Sequence, residues 1–250
     1  MPGYKDNING KNGQLLHPPP VPAMGQIRVG RPDVPEDQWT ATLTVVPRAV
    51  PCTDAEFNEM FAAKPAPTPN PYGGNNLIRL QGTWGAHSYV FGQQESVRQG
   101  SIEEAPELVR RCLAAVRERC GAFGVVYDKY DWFCHFNLYT AEAALAPHQD
   151  SEALHAAGVP IFSFVFVSPG TDATQNYRYF VVQQGPGTVL AQERQARCWP
   201  VPLKHGDMAV MAGTFQKDVY HGVPKASTAA KRSGARRINI TIRATAKPAV

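Results

Sequence analysis

The sequence predicts an α+β chain dominated by β structure: a jelly roll of short antiparallel strands with helices packed on one outer face. Three observations carry that expectation. From residue 123 onward, six short apolar or alternating runs ("FGVVY", "WFCHFNLY", "PIFSFVFVS", "YRYFVVQ", "DMAVMAG", "RINITIRAT") are separated by turn-forming stretches. Upstream, "SIEEAPELVRRCLAAVRERCG" sets Leu108, Cys112, Leu113, Val116 and Cys120 along one helical face, with basic residues opposite. Finally, 21 Gly, 22 Pro and only 18% charged residues in 250 suit a turn-rich globular protein better than a helical bundle.

Taken in order, residues 1–38 ("NINGKNGQLLHPPPVPAMG" within them) carry no helix or strand periodicity and are expected to be a segment, or arm, that is flexible or draped over the domain. A single domain is expected over 39–250, long enough to bury a substantial core. "QWTATLTVVP" alternates as a strand does. "CTDAEFNEMFAAK" follows as a helix, with Thr53 or Asp54 as N-cap and Phe57, Met60 and Phe61 on one face. A Pro-rich linker, "PAPTPNPYGG", ends that unit. "GTWGAHSYVFGQQ" then spaces Trp84, His87, Tyr89 and Phe91 between glycines, as a mobile hairpin or lid over about 78–100 would. The helix over 101–121 backs the sheet that the later strands build.

Bulk properties exclude some classes and leave others open. The net charge of +4 is compatible with a polyanionic partner and decides nothing alone. The five cysteines are odd in number and scattered without a C-x-x-C pair, so they read as reduced thiols, with Cys112 and Cys120 as packing residues. No basic segment followed by an apolar run opens the chain, and no run of about eighteen apolar residues occurs. An intracellular protein, cytoplasmic or nuclear, with no membrane span is expected.

The chemistry starts at "LAPHQDSEAL". If this stretch ends a strand, His148 and Asp150 project to one side, because side chains alternate with period two. The same triplet is also common in ordinary polar turns. A 2-His-1-carboxylate set occupies one face of an octahedral iron(II) and leaves three positions open, so a second histidine after a downstream strand is needed. His17 lies in the arm, His135 inside an apolar strand, His155 just past the motif and His205 in a turn; His221, after "DMAVMAG", is the candidate. In "RRINITIR", Arg237, Asn239, Thr241 and Arg243 share one face of an extended strand and Ile238, Ile240 and Ile242 the other. Such a strand can close a core while its arginines grip carboxylates; a solvent-facing edge strand is the ordinary alternative.

In this order and with these gaps, the fragments resemble the AlkB-type iron(II)/2-oxoglutarate dioxygenases over about residues 78–245. "FNLYTAEAALAPHQDSE" resembles that family's N-x-Y segment and its H-x-D, "VPLKHGDMAVMAGTFQKDVYHGVPK" its second histidine stretch, and "RRINITIR" its closing R-x-N-x-T-x-R. The resemblance implies a double-stranded β-helix core of the jelly-roll or cupin-like kind. It also implies iron ligands His148, Asp150 and His221, with 2-oxoglutarate held by Asn137, Tyr139, Arg237, Asn239 and Arg243. Arg237 would take the distal carboxylate, and Arg243 would lie nearer the metal. Trp84, His87, Tyr89 and Phe91 would belong to a lid that stacks on a target base, and Glu152 would sense an exocyclic nitrogen. Two departures concern the substrate: Pro147 before the first ligand, and Tyr89-Val90-Phe91-Gly92 in place of the usual lid pattern.

The implied activity is oxidative demethylation of bases such as 1-methyladenine or 3-methylcytosine in DNA or RNA, releasing formaldehyde, succinate and CO2, by a monomer. The target base must be flipped out or supplied single-stranded. Lys225, Lys231, Arg232 and Arg236 are candidate phosphate contacts, though charge runs are more often simply solvated. Two alternatives stand beside this activity: the same iron chemistry on a protein, lipid or small molecule, and a catalytically silent jelly-roll binding module.

Overall fold

The computed structural model describes residues 25–31, 33–62, 65, 79–85, 89–91, 94–96, 98–150, 155–168, 179–184, 198–225 and 234–247. Their architecture is mainly β. The larger sheet runs β1 (Gln26–Val29), β2 (Ala41–Val46), β12 (Asp207–Ala212), β9 (Ile161–Val167), β14 (Arg237–Ala246), β7 (Tyr130–Tyr139), β3 (Leu80–Trp84) and β6 (Arg98–Gly100). Its pairs are antiparallel except β3 with β6. The smaller sheet runs β11 (Cys198–Pro202), β10 (Tyr179–Gln184), β13 (Val219–Val223) and β8 (Leu145–His148). A separate hairpin joins β4 (Tyr89–Phe91) to β5 (Gln94–Ser96), and the helices are α1 (Asp54–Ala62), α2 (Glu107–Arg119) and the single turn α3 (Phe215–Asp218).

The large sheet is buried on both faces, which explains why its central strands read as nearly continuous apolar runs. In β9, Phe162, Phe164 and Phe166 face the helices, packing with Phe57 and Phe61 of α1, Leu108 and Val116 of α2, and Ile238, Ile240 and Ile242 of β14. Ile161 and Val165 face the other way, into a second cluster with Phe180, Val182 and Val201 of the small sheet. Toward β7 and β14 that second layer turns polar: Asn137, Asn239 and Thr241 replace aliphatic side chains and remain buried. A polar pocket therefore opens between the sheets.

Helix α1 starts as its sequence implies. The Thr53 hydroxyl accepts the Glu56 N–H at 3.3 Å, and the Glu56 carboxylate accepts the Thr53 N–H at 2.7 Å, a reciprocal capping box. Glu56 also pairs with Arg111 of α2 at 2.7 Å, joining the two backing helices. Thr53→Ala is expected to lower stability by about 1 kcal/mol, read as a shift in the denaturant midpoint at constant slope.

Two expectations are corrected here. The arm over 1–38 is not featureless throughout: residues 26–29 form β1, which pairs antiparallel with β2, and Val29 is fully buried. Ile27 and Val29 alternate, but four residues between Gly25 and Gly30 give too little periodicity to read; the open edge of β2 supplies the partner. Trp84 belongs to no lid, since β3 pairs with β7 from Leu80↔Leu138 to Trp84↔Cys134 and is part of the large sheet. The five cysteines form no disulfide, and burial pushes the Cys112 thiol well above its usual range, as a packing role requires. No described helix is long and apolar enough to cross a membrane.

Candidate metal centre and pocket

Cross-strand pairing brings the two histidines together. His148, at the end of β8, stands opposite His221 of β13, with ring centroids 4.3 Å apart. Asp150 follows two residues on, where α3 latches the chain: its backbone N–H donates to the Gln216 side chain at 2.9 Å, and Gln149 Nε2 donates to the Lys217 carbonyl at 3.0 Å. Asp150 Oδ1 lies 3.5 Å from His148 Nε2, and its Oδ2 lies 3.5 Å from His221 Nε2. One ligand atom from each residue falls within 4.8 Å of the others. Octahedral ligands at about 2.1 Å stand roughly 3 Å apart, so small adjustments close this triangle on one ion.

The protonation pattern fits a metal as well. His148 Nδ1 lies 2.9 Å from the Ala146 carbonyl, which can only accept, so Nδ1 donates there and Nε2 is the ring nitrogen that faces Asp150. Burial, with His148 beside it, pushes His221 down to about 4, so this imidazole is neutral at physiological pH. Burial alone would raise the Asp150 carboxyl, but Arg243 at 2.9 Å and the two histidines hold it well below the usual carboxylate range. Two imidazoles and one carboxylate, clustered in the interior, suit a divalent borderline ion such as Fe(II).

Gly222 makes the pairing possible. A Cβ there would stand 2.7 Å from the Leu145 carbonyl oxygen and 3.1 Å from Pro147 N, so only glycine lets β8 lie this close to β13 at the register break after His221. Pro147 is tolerated because β8 is an edge strand. Gly222→Ala is expected to spread His148 from His221 and to cost about 1–3 kcal/mol. Thermal unfolding of the metal-free protein and ferrous titration check both effects.

The wall facing the triad comes from the large sheet. Asn137, Tyr139, Asn239 and Arg243 line the pocket together. Arg237 is 2% exposed and donates through Nη2 to Asn239 Oδ1 at 3.0 Å, while Asn239 Nδ2 donates to Ser163 Oγ at 2.6 Å and to Thr241 Oγ1 at 3.2 Å. Arg237, Asn239 and Thr241, alternate residues of β14, thus enter one hydrogen-bonded row with Ser163 of β9. Among the described residues, Asn137 Oδ1 is buried with no hydrogen-bond partner.

Other sequence-derived candidates fall elsewhere. Trp84 packs against the helix-side core and so stands on the face of the sheet away from the pocket; it cannot stack on a base there. Arg236 is engaged by α1, donating to Asn58 Oδ1 at 2.8 Å with its guanidinium 4.8 Å from the Phe61 ring centre. Lys225 is exposed. Tyr89 and Phe91 lie on β4, whose backbone pairs with β5. His87, Glu152, Lys231 and Arg232 lie outside the described residues.

Three pocket residues escape the motif reading. His135, taken as an apolar-strand histidine, lines the pocket and lies 3.1 Å from Ser96 Oγ of β5, which ties the hairpin to the site. Burial, then the Arg243 and Arg79 charges, push His135 well below its usual range, so it is neutral. Its spacing from Asn137 and Tyr139 on an alternating strand was the available signal. Arg79 and Gln81 enter from the β3 edge of the sheet, and only strand pairing reveals them.

A family model described as the 2OG-Fe(II) oxygenase superfamily matches residues 52–243. Among solved structures, the chain is similar to OsALKBH1, at 14% identity and a TM-score of 0.49, covering 80% of this chain and 97% of that one. It is also similar to a Pseudomonas putida prolyl-4-hydroxylase, at 16% identity and a TM-score of 0.46, covering 82% and 92%. No curated protein matches it.

Proposed function

The chain belongs to the 2OG-Fe(II) oxygenase superfamily and is an oxidoreductase that uses iron(II) and 2-oxoglutarate; from that premise we propose that it removes N-methyl groups from nucleic-acid bases. The observation that carries this reading is the His148–Asp150–His221 cluster in a pocket whose opposite wall holds Asn137, Tyr139, Asn239 and Arg243. In it, His148, Asp150 and His221 hold the iron. Asn137, Tyr139, Arg237 and Arg243 hold the cosubstrate, with Asn239 fixing Arg237. Bound iron(II), with 2-oxoglutarate and dioxygen, supplies the oxidising power to hydroxylate a C–H bond while the keto acid becomes succinate and CO2; a hydroxylated N-methyl group then leaves as formaldehyde.

The protein's own share is orientation and exclusion. Arg243 keeps the Asp150 carboxylate ionised and aimed, and the Ala146 carbonyl fixes the His148 tautomer. The buried Ser163–Asn239–Thr241 row leaves Arg237 little rotational freedom, so a carboxylate meets a preset guanidinium. Support for a base as substrate comes from the motif order and from the β4–β5 hairpin, bound to the pocket through Ser96 and His135 and carrying Tyr89 and Phe91 on β4.

A second reading keeps the chemistry and changes the substrate to a protein or small molecule. One observation leans that way: Arg236, an expected phosphate contact, already spends part of its guanidinium on Asn58 and the Phe61 ring of α1. A panel of methylated single- and double-stranded DNA and RNA, read by formaldehyde release and mass spectrometry, separates the two. Methyl loss dependent on 2-oxoglutarate supports the base reading. Iron and 2-oxoglutarate binding without turnover of any methylated base supports the other.

A further inference from the structure

We propose that Arg79 and Gln81 form a substrate-reading subsite for a carbonyl oxygen, making the enzyme favour neutral, carbonyl-bearing methylated bases over cationic ones. The proposal rests on the base-demethylase reading above. Arg79 is 7% exposed and Gln81 2%, and both line the pocket. Arg79 Nη2 donates to Gln81 Oε1 at 2.8 Å, which fixes the amide so that its NH2 end is the one turned away from Arg79. Among the described residues, Gln81 Nε2 and Arg79 Nε are buried with no hydrogen-bond partner. Buried donors left unmet are costly, and a ligand acceptor removes that cost.

Charge sharpens the preference. Among the described residues no carboxylate pairs with Arg79, and the only acidic side chain lining the pocket is Asp150, which pairs with Arg243. A base methylated as 1-methyladenine or 3-methylcytosine is a cation at neutral pH. Repulsion between such a cation and an uncompensated guanidinium is weakly screened in a buried site. 3-Methyluracil and 1-methylguanine are neutral, and each carries a carbonyl beside the methylated nitrogen.

Position points to substrate rather than cosubstrate. Gln81, Asn137 and Asn239 form one row across β3, β7 and β14. The residues assigned to 2-oxoglutarate sit on β7 and β14, whereas β3 lies on the opposite side of β7, roughly 10 Å from β14 at ordinary strand spacing. On that same side, His135 ties the β4–β5 hairpin to the pocket through Ser96.

The test uses the iron-loaded enzyme and single-stranded oligonucleotides bearing one 3-methyluracil, 1-methylguanine, 1-methyladenine or 3-methylcytosine. Turnover is read by formaldehyde release, and affinity is read anaerobically by equilibrium binding with 2-oxoglutarate present. The wild type is expected to prefer the neutral pair by about tenfold or more in both kcat/KM and affinity. Arg79→Gln should erase that preference with the KM for 2-oxoglutarate unchanged, and Gln81→Glu, which replaces a donor by an acceptor, should lower use of the neutral bases. A wild-type preference for the cationic bases overturns the subsite while leaving demethylation standing. So does an Arg79→Gln enzyme with raised 2-oxoglutarate KM and all substrates slowed alike. Failure to turn over any methylated base sinks both readings.

Discussion

Asp150→Asn is expected to abolish turnover and ferrous binding while weakening the metal-free fold. The carboxylate contributes the anionic ligand of the triad and lies 3.5 Å from both imidazoles. Loss of a direct ligand should exceed the roughly 10–100-fold effect typical of removing an outer hydrogen-bond partner. Asparagine keeps the shape but gives Arg243 a neutral neighbour in place of an ion pair at 2.9 Å. Breaking a buried pair from one side costs about 3–5 kcal/mol. The check is twofold: ferrous titration under anaerobic conditions, and thermal unfolding of the metal-free protein. Stoichiometric iron binding by the variant would remove Asp150 from the ligand set.

Phe162→Ala is expected to be the most damaging change far from the metal, at about 3–5 kcal/mol. Its side chain is fully buried on the helix-side face of β9, with ring centres 5.8 Å from Phe123 and 6.2 Å from Trp132. Neighbouring strands place Val210 on one side and Ile242 on the other, in register with it. Neither strand can move into the void without breaking its ladder, so the cavity stays open. Chemical denaturation measures the loss; a change below about 1 kcal/mol would mean that the helix layer collapses freely onto the sheet.

How far the molecule was legible depended on the range of the interaction involved. The Thr53–Glu56 capping box and the alternation of β9 and β14 are local, and their residues appear at the expected spacing. The β1 strand was hidden because four residues carry too little pattern without the edge of β2 beside them. Trp84 was misassigned because aromatic residues between glycines suit a lid and a sheet strand equally; pairing with Cys134 across β7 turned its ring toward the helices. Arg236 looked like a surface cation, yet α1 lies against it, and the rings of Phe57 and Phe61 hold its guanidinium.

By itself, the sequence determined the chemistry carried at each position: which residues can ligate iron, which strands alternate, and which face of β14 is polar. Tertiary structure alone decided which of those positions meet. His148 and His221 are 73 residues apart in the chain and become neighbours through one antiparallel register, with Gly222 allowing the approach. Arg79 and Gln81 became pocket residues only when β3 paired with β7. The physical reason is that side-chain alternation is a property of one strand, whereas a site between two sheets depends on strand order and register, which long-range pairing sets.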